Sequence, residues 1–516
     1  MAAMAASAPT DLRSIALLID QLKHDDLSLR VNSTRALVAI ATALGPDRTR
    51  NELIPFLCES TDDEDEVLVV MAEQLGALQP CVGGVDQLHC LLEPLEALAT
   101  VEESTVRDKA VASIRALATA MPAPDLVPHY MPLCRRLAGK DWFTARISAC
   151  GLLAIAHARV PAPQQDELRG LFARLCRDDT PMVRRVAAAN LGLLAEAVAD
   201  ATVIERELLP LLTMLGEDDQ DSVRLQTVDN CATFAGALRE GVVEGRLMPV
   251  VLDVVQDRSW RVRWSAASKF ERLCAALGST ITNGKLCPAY VALLQDVEAE
   301  VRAAAGFNVV AVAGLMELST VLSQLLPCVQ QLTLDASEHV RTALASGIND
   351  LAPILGREHT IEQLIPLLLN LLRDSSSEVR LNIIAKLDAI HRVIGVERLS
   401  QSLLPAIIDL AEDHKWRVRM AIIEHIPLLA QQLGASSRKR EPALSRARAR
   451  DTHTTHTRAR AQAHPRAHAF VRAARERELS PMIKQFHAPL RTKRMWILPN
   501  HHHLSDEGSA RPRCRQ

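Results

Sequence analysis

Apolar residues return along this chain at three- and four-residue spacing, in pairs of short stretches separated by a polar turn. Between residues 364 and 387, Leu364, Ile365, Leu367, Leu368 and Leu371 make one stripe, and Val379, Leu381, Ile383, Ile384 and Leu387 make a second. Such spacing predicts two helices, each burying one face. The intervening turn carries acid, then a hydrophobic residue, then usually Arg. That signature recurs at Arg30, Leu68 (in the place of Arg), Arg107, Arg146, Arg184, Arg224, Arg263, Arg302, Arg341, Arg380 and Arg419, in steps of 38 to 40 residues. A fixed period of that size marks stacked two-helix units, so the predicted fold is all-α, an elongated solenoid of about eleven repeats. No strand pattern competes, and an aromatic content of 3% with abundant Ala and Leu suits helices.

A second marker keeps the same step: Pro55, Pro94, Pro132, Pro210, Pro249, Pro288, Pro327, Pro366 and Pro405, with Leu171 in the slot in repeat five. Each repeat therefore reads as helix A containing the Pro, a short turn, and helix B. A proline removes one backbone donor and bends a helix, so its periodic return predicts a built-in kink in helix A; the alternative is that each Pro ends a helix.

Composition narrows the class. The chain has 516 residues, 23% charged and 48% hydrophobic, and no apolar run reaches the 18 or so residues of a membrane span. The first ten residues have neither a basic start nor a long apolar core, so no secretory leader is expected. None of the 11 cysteines forms a C-x-x-C pair, and most fall inside helical stripes, which predicts buried reduced thiols and no structural metal. Net charge divides the chain. From Ala435 onward there are 19 Lys and Arg against 6 Asp and Glu, or +13, which leaves −16 for the preceding array out of the total of −3.

The array concentrates its acid in the turns, as in Asp62-Asp63-Glu64-Asp65-Glu66 and Glu217-Asp218-Asp219. Those turns should steer basic protein surfaces, although single acids at helix starts also serve as caps. In repeats six to eleven an Asp precedes the marker Arg by six residues: Asp218, Asp257, Asp296, Asp335, Asp374 and Asp413 before Arg224, Arg263, Arg302, Arg341, Arg380 and Arg419. Such an Asp can accept from helix B amides and from the Arg of a neighbouring repeat, which predicts a structural ladder along the stack.

These features resemble HEAT repeats, and several strings are similar to the scaffold (A) subunit family of protein phosphatase 2A. They include Asp63-Glu64-Asp65-Glu66-Val67-Leu68, Ala99-Thr100-Val101-Glu102-Glu103, Asp141-Trp142-Phe143-Thr144, Asp178-Asp179-Thr180-Pro181-Met182-Val183-Arg184-Arg185, Gln220-Asp221-Ser222-Val223-Arg224-Leu225 and Leu399-Ser400-Gln401-Ser402-Leu403-Leu404-Pro405. The resemblance covers residues 12–434. It implies a non-catalytic horseshoe whose turns form a ridge, with early repeats docking a B-type regulatory subunit and the last repeats docking the catalytic subunit. Regulatory-subunit contact would fall on Glu102, Glu103, Trp142, Phe143, Asp178, Asp179, Thr180, Pro181, Met182, Asp219, Asp221 and Trp260. Trp416 and Arg417 match the start of the catalytic-subunit surface. The pair Trp142-Phe143 points the same way without the resemblance, because large apolar side chains in a turn either cap a core or await a partner. The family carries fifteen repeats and the period here stops at Gly434, so catalytic-subunit docking is expected to be impaired.

Domain organisation is thus a short N-terminus (1–10), the solenoid (11–434) and an Arg/His/Ala-rich tail (435–516), expected to be disordered. Alternating Ala-Arg at 447–450 and His-Thr at 453–457 are what simple dinucleotide tracts encode, so the tail is expected to derive from non-coding sequence, a frameshift or an alternative transcript; the other reading is an evolved basic segment. It lacks the aromatic interleaving of a base-stacking surface. No phosphate loop, zinc-protease, serine-hydrolase or kinase motif occurs, and no cofactor is called for. The expectation is a non-enzymatic scaffold in the cytoplasm, with the nucleus as a second location. An importin-type transport receptor is the alternative.

Overall fold

The structure is a computed structural model that describes residues 12–422. Residues 1–11 and 423–516, which include the basic tail and the end of the eleventh repeat, lie outside the described residues. Within them the chain is a succession of helices without a strand. Each helix B lies on the helix B of the next repeat, for example Pro181–Val198 on Asp221–Ala237, while the A helices pack on one another behind them. Both stripes of repeat ten enter the core. Leu364, Ile365, Leu367, Leu368, Leu371, Val379, Ile383, Ile384 and Leu387 are buried, each worth about 1.5–3 kcal/mol of transfer free energy. Leu381 stays at the margin.

Helix A resolves the two proline expectations in a way neither anticipates. In seven repeats a five-residue π-helical turn immediately precedes the residue before Pro: Thr49–Leu53 before Ile54-Pro55, Leu126–Tyr130 before Met131-Pro132, and equivalently ahead of Pro210, Pro249, Pro288, Pro327 and Pro366. The dihedral angles remain helical through the junction; Ile54, for instance, has φ −63° and ψ −46°. Pro therefore neither ends helix A nor simply kinks it. Its ring would clash with the carbonyl four residues back and it offers no N–H to that carbonyl, and widening the preceding turn to i→i+5 accommodates both. Pro94 and Pro405 follow no such turn, the first being preceded by a 3-10 helix, Val85–Leu91, and the second by an α-helix, Val396–Ser402, and with Leu171 in the slot helix A of repeat five runs as one α-helix, Ala162–Cys176.

Junctions between repeats use a glycine in a backbone region closed to other residues. Gly278, Gly356 and Gly395 have φ of +80°, +74° and +80°, with ψ of 168°, 176° and 162°. Four residues after the first two of these, and after Gly45, a buried threonine turns back to donate to the carbonyl four residues before the glycine. Thr49 donates to Ala41 O at 3.1 Å, Thr282 to Cys274 O at 3.2 Å and Thr360 to Ala352 O at 3.3 Å. The pattern Gly-x-x-x-Thr thus caps one repeat and opens the next.

The cysteines lie mostly in this core. Cys134, Cys150, Cys176, Cys231, Cys274, Cys287 and Cys328 are buried thiols, and burial pushes Cys134, Cys176, Cys231 and Cys274 up to about 12, far from a reactive thiolate.

A methyl group added at Gly356 would meet no atom within 4 Å, so Gly356→Ala tests the backbone alone. It should cost about 1–3 kcal/mol in urea unfolding; an unchanged midpoint would show that the junction relaxes freely.

Candidate protein-interaction surface

The turns between helix A and helix B are tied together by arginines. Arg224 donates from Nε to Asp257 Oδ2 at 2.7 Å and from Nη2 to Asp257 Oδ1 at 2.8 Å, while its Nη1 donates to the carbonyls of Asp218 and Asp219 in its own turn. The same arrangement links Arg146 to Asp178, Arg184 to Asp218, Arg263 to Asp296, Arg302 to Asp335 and Arg341 to Asp374, while Arg380 pairs with Asp413 through an Nη2 hydrogen bond alone, its Nε lying 3.0 Å from Oδ2 without donating to it. Each aspartate also accepts from the amide two residues on, as Asp296 does from Glu298 N at 2.9 Å. Seven consecutive rungs result, with Nε–Oδ2 distances of 2.6–3.0 Å. Because every rung joins adjacent turns directly, the turns form one continuous edge from repeat four to repeat eleven. Arg30 begins a separate rung with Asp63 and Glu64. Repeat two offers only Leu68, and Arg107 bonds only to the carbonyls of Val101 and Glu102 in its own turn, so the ladder is interrupted there. Arg419 likewise donates to Asp413 O and His414 O.

The rung aspartates expose 7–9% of their side chains. At Asp178, Asp218, Asp296, Asp335 and Asp374 burial pushes the carboxyl up, but the bidentate guanidinium and the backbone amide outweigh it and leave all five below the ordinary aspartate value of 3.8.

This frame sorts the candidate interface residues. Asp178 has its carboxylate committed to Arg146 and to Thr180 N, and Thr180 accepts from Arg146, so neither offers a free group to a partner. Pro181 occupies the first turn of helix B, where its missing N–H is harmless. Glu103 caps helix B by accepting from Thr105 N at 3.0 Å, and that bond holds its carboxyl below the usual range. Asp221 accepts from Ser259 Oγ of the next repeat at 2.9 Å. Facing outward are Glu102, Asp179, Pro181, Met182, Asp219, Trp142, Trp260 and Trp416. The tryptophans are 53%, 41% and 64% exposed. Phe143 is half-buried, with its ring 5.5 Å from that of Trp142, and the Arg261 guanidinium lies 5.9 Å from the Trp260 ring. Arg417 reaches Glu378 at 3.1 Å on the surface, an ion pair worth about 0–1 kcal/mol.

Two features escaped the sequence. Val297 and Leu334 stand on the same edge at 86% and 73% exposure; as isolated aliphatics beside acids they give no signal short of a register count from the rung. The position directly after each rung aspartate is always exposed, yet its chemistry changes along the edge: Asp179, Asp219, Arg258, Val297, Ala336, Ser375, His414. The rung is constant and its neighbour is free to vary. Between the turns of repeats five and six lies an open groove of about 440 Å³, whose five acids, the two rung aspartates with Asp179, Glu217 and Asp219, outnumber its two arginines, Arg177 and Arg184. An open acidic groove on an edge suits a protein loop better than a small molecule.

Comparison with known proteins decides the relationship. Residues 279–356 match the family model "PPP2R1A-like HEAT repeat", and residues 364–394 match "HEAT repeat". The chain is 55% identical over 227 residues to a probable serine/threonine-protein phosphatase PP2A regulatory subunit of Caenorhabditis elegans, 44% of this chain and 38% of that protein. It is 53% identical over 193 residues to the A alpha isoform of the serine/threonine-protein phosphatase 2A 65 kDa regulatory subunit in Arabidopsis thaliana (37% and 33%), and 52% identical over 187 residues to the A beta isoform in Rattus norvegicus (36% and 31%). Over these segments the chain is similar to phosphatase 2A 65 kDa regulatory subunits. Each match spans well under half the relative's length. Among solved structures, the karyopherin Kap121p bound to the extreme C-terminus of the protein phosphatase Cdc14p aligns with a TM-score of 0.55 at 17% identity, covering 83% of this chain and 46% of that one. Kap95p, in a structure with RanGDP, aligns at 0.53 and 12%, covering 81% and 61%. At such identity these matches report the solenoid fold shared by HEAT proteins, and nothing of transport.

Arg302→Ala leaves the buried Asp335 carboxylate with the Ser337 amide but without its guanidinium and should cost about 1–3 kcal/mol in denaturant unfolding; an unchanged midpoint would remove the rung's energetic role. Since five rung aspartates titrate below their unfolded value, their contribution is present above pH 3.8 and is lost as pH falls through the folded values. Melting followed from about pH 5 to about pH 2 should therefore show a steep drop below that value, shallower in Arg302→Ala.

Proposed function

We propose that this protein is a non-catalytic scaffold of a protein phosphatase 2A assembly, acting in the cytoplasm and nucleus. The turns of repeats two to seven dock a B-type regulatory subunit, and Trp416 with Arg417 contributes to a catalytic-subunit surface. The observation that carries this reading is the pairing of half-exposed aromatics with an edge that the rungs hold rigid. Trp142, with Phe143 behind it, and Trp260 are anchors whose desolvation supplies binding energy, and Arg146 and Arg263 fix the turns that present them. Preorganised anchors bind without an ordering cost. The acids of repeats two to six, Glu102, Asp179 and Asp219 among them, complement a basic partner surface and favour fast association. The homology to 65 kDa regulatory subunits supports the same assignment. A scaffold of repeats that touch only their neighbours can also bend to accept regulatory subunits of different shape.

Affinity for a purified B-type regulatory subunit tests this directly. Trp142→Ala should weaken binding by about tenfold or more while leaving thermal unfolding unchanged, because the indole is largely outside the core. If the wild-type chain ignored regulatory subunits and instead recovered a small GTPase and phenylalanine-glycine nucleoporins from a lysate, the scaffold assignment would fail.

A further inference from the structure

Repeat five, whose helix A lacks both the proline and the π-helical turn, carries an arginine that joins three repeats. Arg169 lies on helix A of repeat five and is 8% exposed. Its Nη1 faces Nε2 of His157 at 3.0 Å, at the end of helix B in repeat four. Its Nε donates to Glu207 Oε2 at 2.6 Å in helix A of repeat six, and Nη2 pairs with Asp166 one turn back. His157 itself is 2% exposed, and its Nδ1 lies 3.3 Å from the carbonyl of Ala197, near the end of helix B in repeat five.

These partners assign the proton. A guanidinium can only donate and a carbonyl can only accept. Nε2 must therefore accept from Arg169 and Nδ1 must carry the hydrogen that points at Ala197 O, which makes His157 a neutral imidazole. The charges acting on it are those of Arg169 and Asp166 from helix A of repeat five and of Glu207 from repeat six. Both carboxylates are already engaged, Asp166 by Arg169 and Glu207 by Arg169 and Arg206. A proton added at Nε2 would set two N–H donors 3.0 Å apart and a second cation against a buried guanidinium, with no free acceptor beside it.

We propose that the His157–Arg169 contact is a proton-sensitive joint: neutral His157 locks repeats four, five and six together, and its protonation expels Arg169 and loosens them. Burial, followed by the neighbouring guanidinium, holds His157 below the ordinary histidine value of 6.5. The sign follows from that direction. The folded state binds its proton less readily than the unfolded chain, so the joint is intact above pH 6.5 and weakens as pH falls towards the folded value. In a stack whose repeats contact only neighbours, one loosened junction changes the orientation of everything on one side relative to the other.

Amide hydrogen exchange of the full chain at about pH 7.5 and about pH 5.5, corrected for intrinsic rates, tests the joint. In the wild type, segments 153–176 and 201–208 should lose protection on acidification, by up to about tenfold per pH unit, while repeats eight to ten do not change. His157→Gln keeps an acceptor for Arg169 and a donor for Ala197 O but cannot titrate, and its protection there should be the same at both pH values. Equal protection at both pH values in the wild type, or the same acid loss in His157→Gln, would overturn the proposal. Should the variant not fold, nitrogen-15 histidine spectra of the wild type still decide. A buried ring in the Nδ1–H form with a midpoint below 6.5 supports the joint, and an Nε2–H form or a midpoint at or above 6.5 contradicts it.

Discussion

A buried, bidentate arginine–aspartate rung is the interaction on which the rest of this molecule depends. Stacked repeats contact only their neighbours, so their register must be set one junction at a time. Each rung does this with one side chain: Nε and Nη2 hold the next turn through its aspartate while Nη1 holds the arginine's own turn through two carbonyls. A planar guanidinium supplies that geometry and a lysine could not. Both partners are desolvated, which is costly, so the pair is stabilising only through the charge-assisted hydrogen bonds that replace the lost water. The consequence is a row of turns held in fixed relation over seven junctions.

Function grows out of that constancy. The residue after the rung aspartate faces solvent in every repeat from five to eleven and passes from acid to arginine, valine, alanine, serine and histidine. Rigid backbone with variable display is what a docking edge for protein partners requires, because specificity then needs changes only at positions that bear no structural load. Exposed Trp142, Met182, Trp260 and Trp416 occupy the same edge. Adjacent repeats are also joined away from the edge, by a glycine bend and a threonine cap at three junctions and, in repeats four to six, by a histidine and an arginine.

Much of this was legible in the sequence because it repeats. A period of 39 residues with apolar stripes pointed to the two-helix unit, and the Asp to Arg spacing pointed to the ladder, since a motif that returns at one register must meet its neighbour's copy. What escaped was whatever a single repeat cannot express. Asp178 looks like a surface acid in a familiar string, yet its partner Arg146 lies 32 residues earlier in the chain, in a repeat without the usual turn aspartate. Proline signalled a bend but not its form, because a kink and a wider preceding turn can each accommodate the ring and the missing N–H. His157 and Arg169 carried no pattern at all; they meet once, where repeat five breaks the rule that its neighbours follow.

If the rungs exist to present a docking edge, then the edge of turns, and not the helical faces behind it, receives the regulatory subunit. Hydrogen exchange of the chain with and without a purified B-type regulatory subunit measures this most directly. Protection should appear at residues 100–105, 140–144, 178–183, 217–222 and 257–261 while the A helices stay unchanged. Protection confined to the A helices, with those turns exchanging as in the free chain, would contradict it.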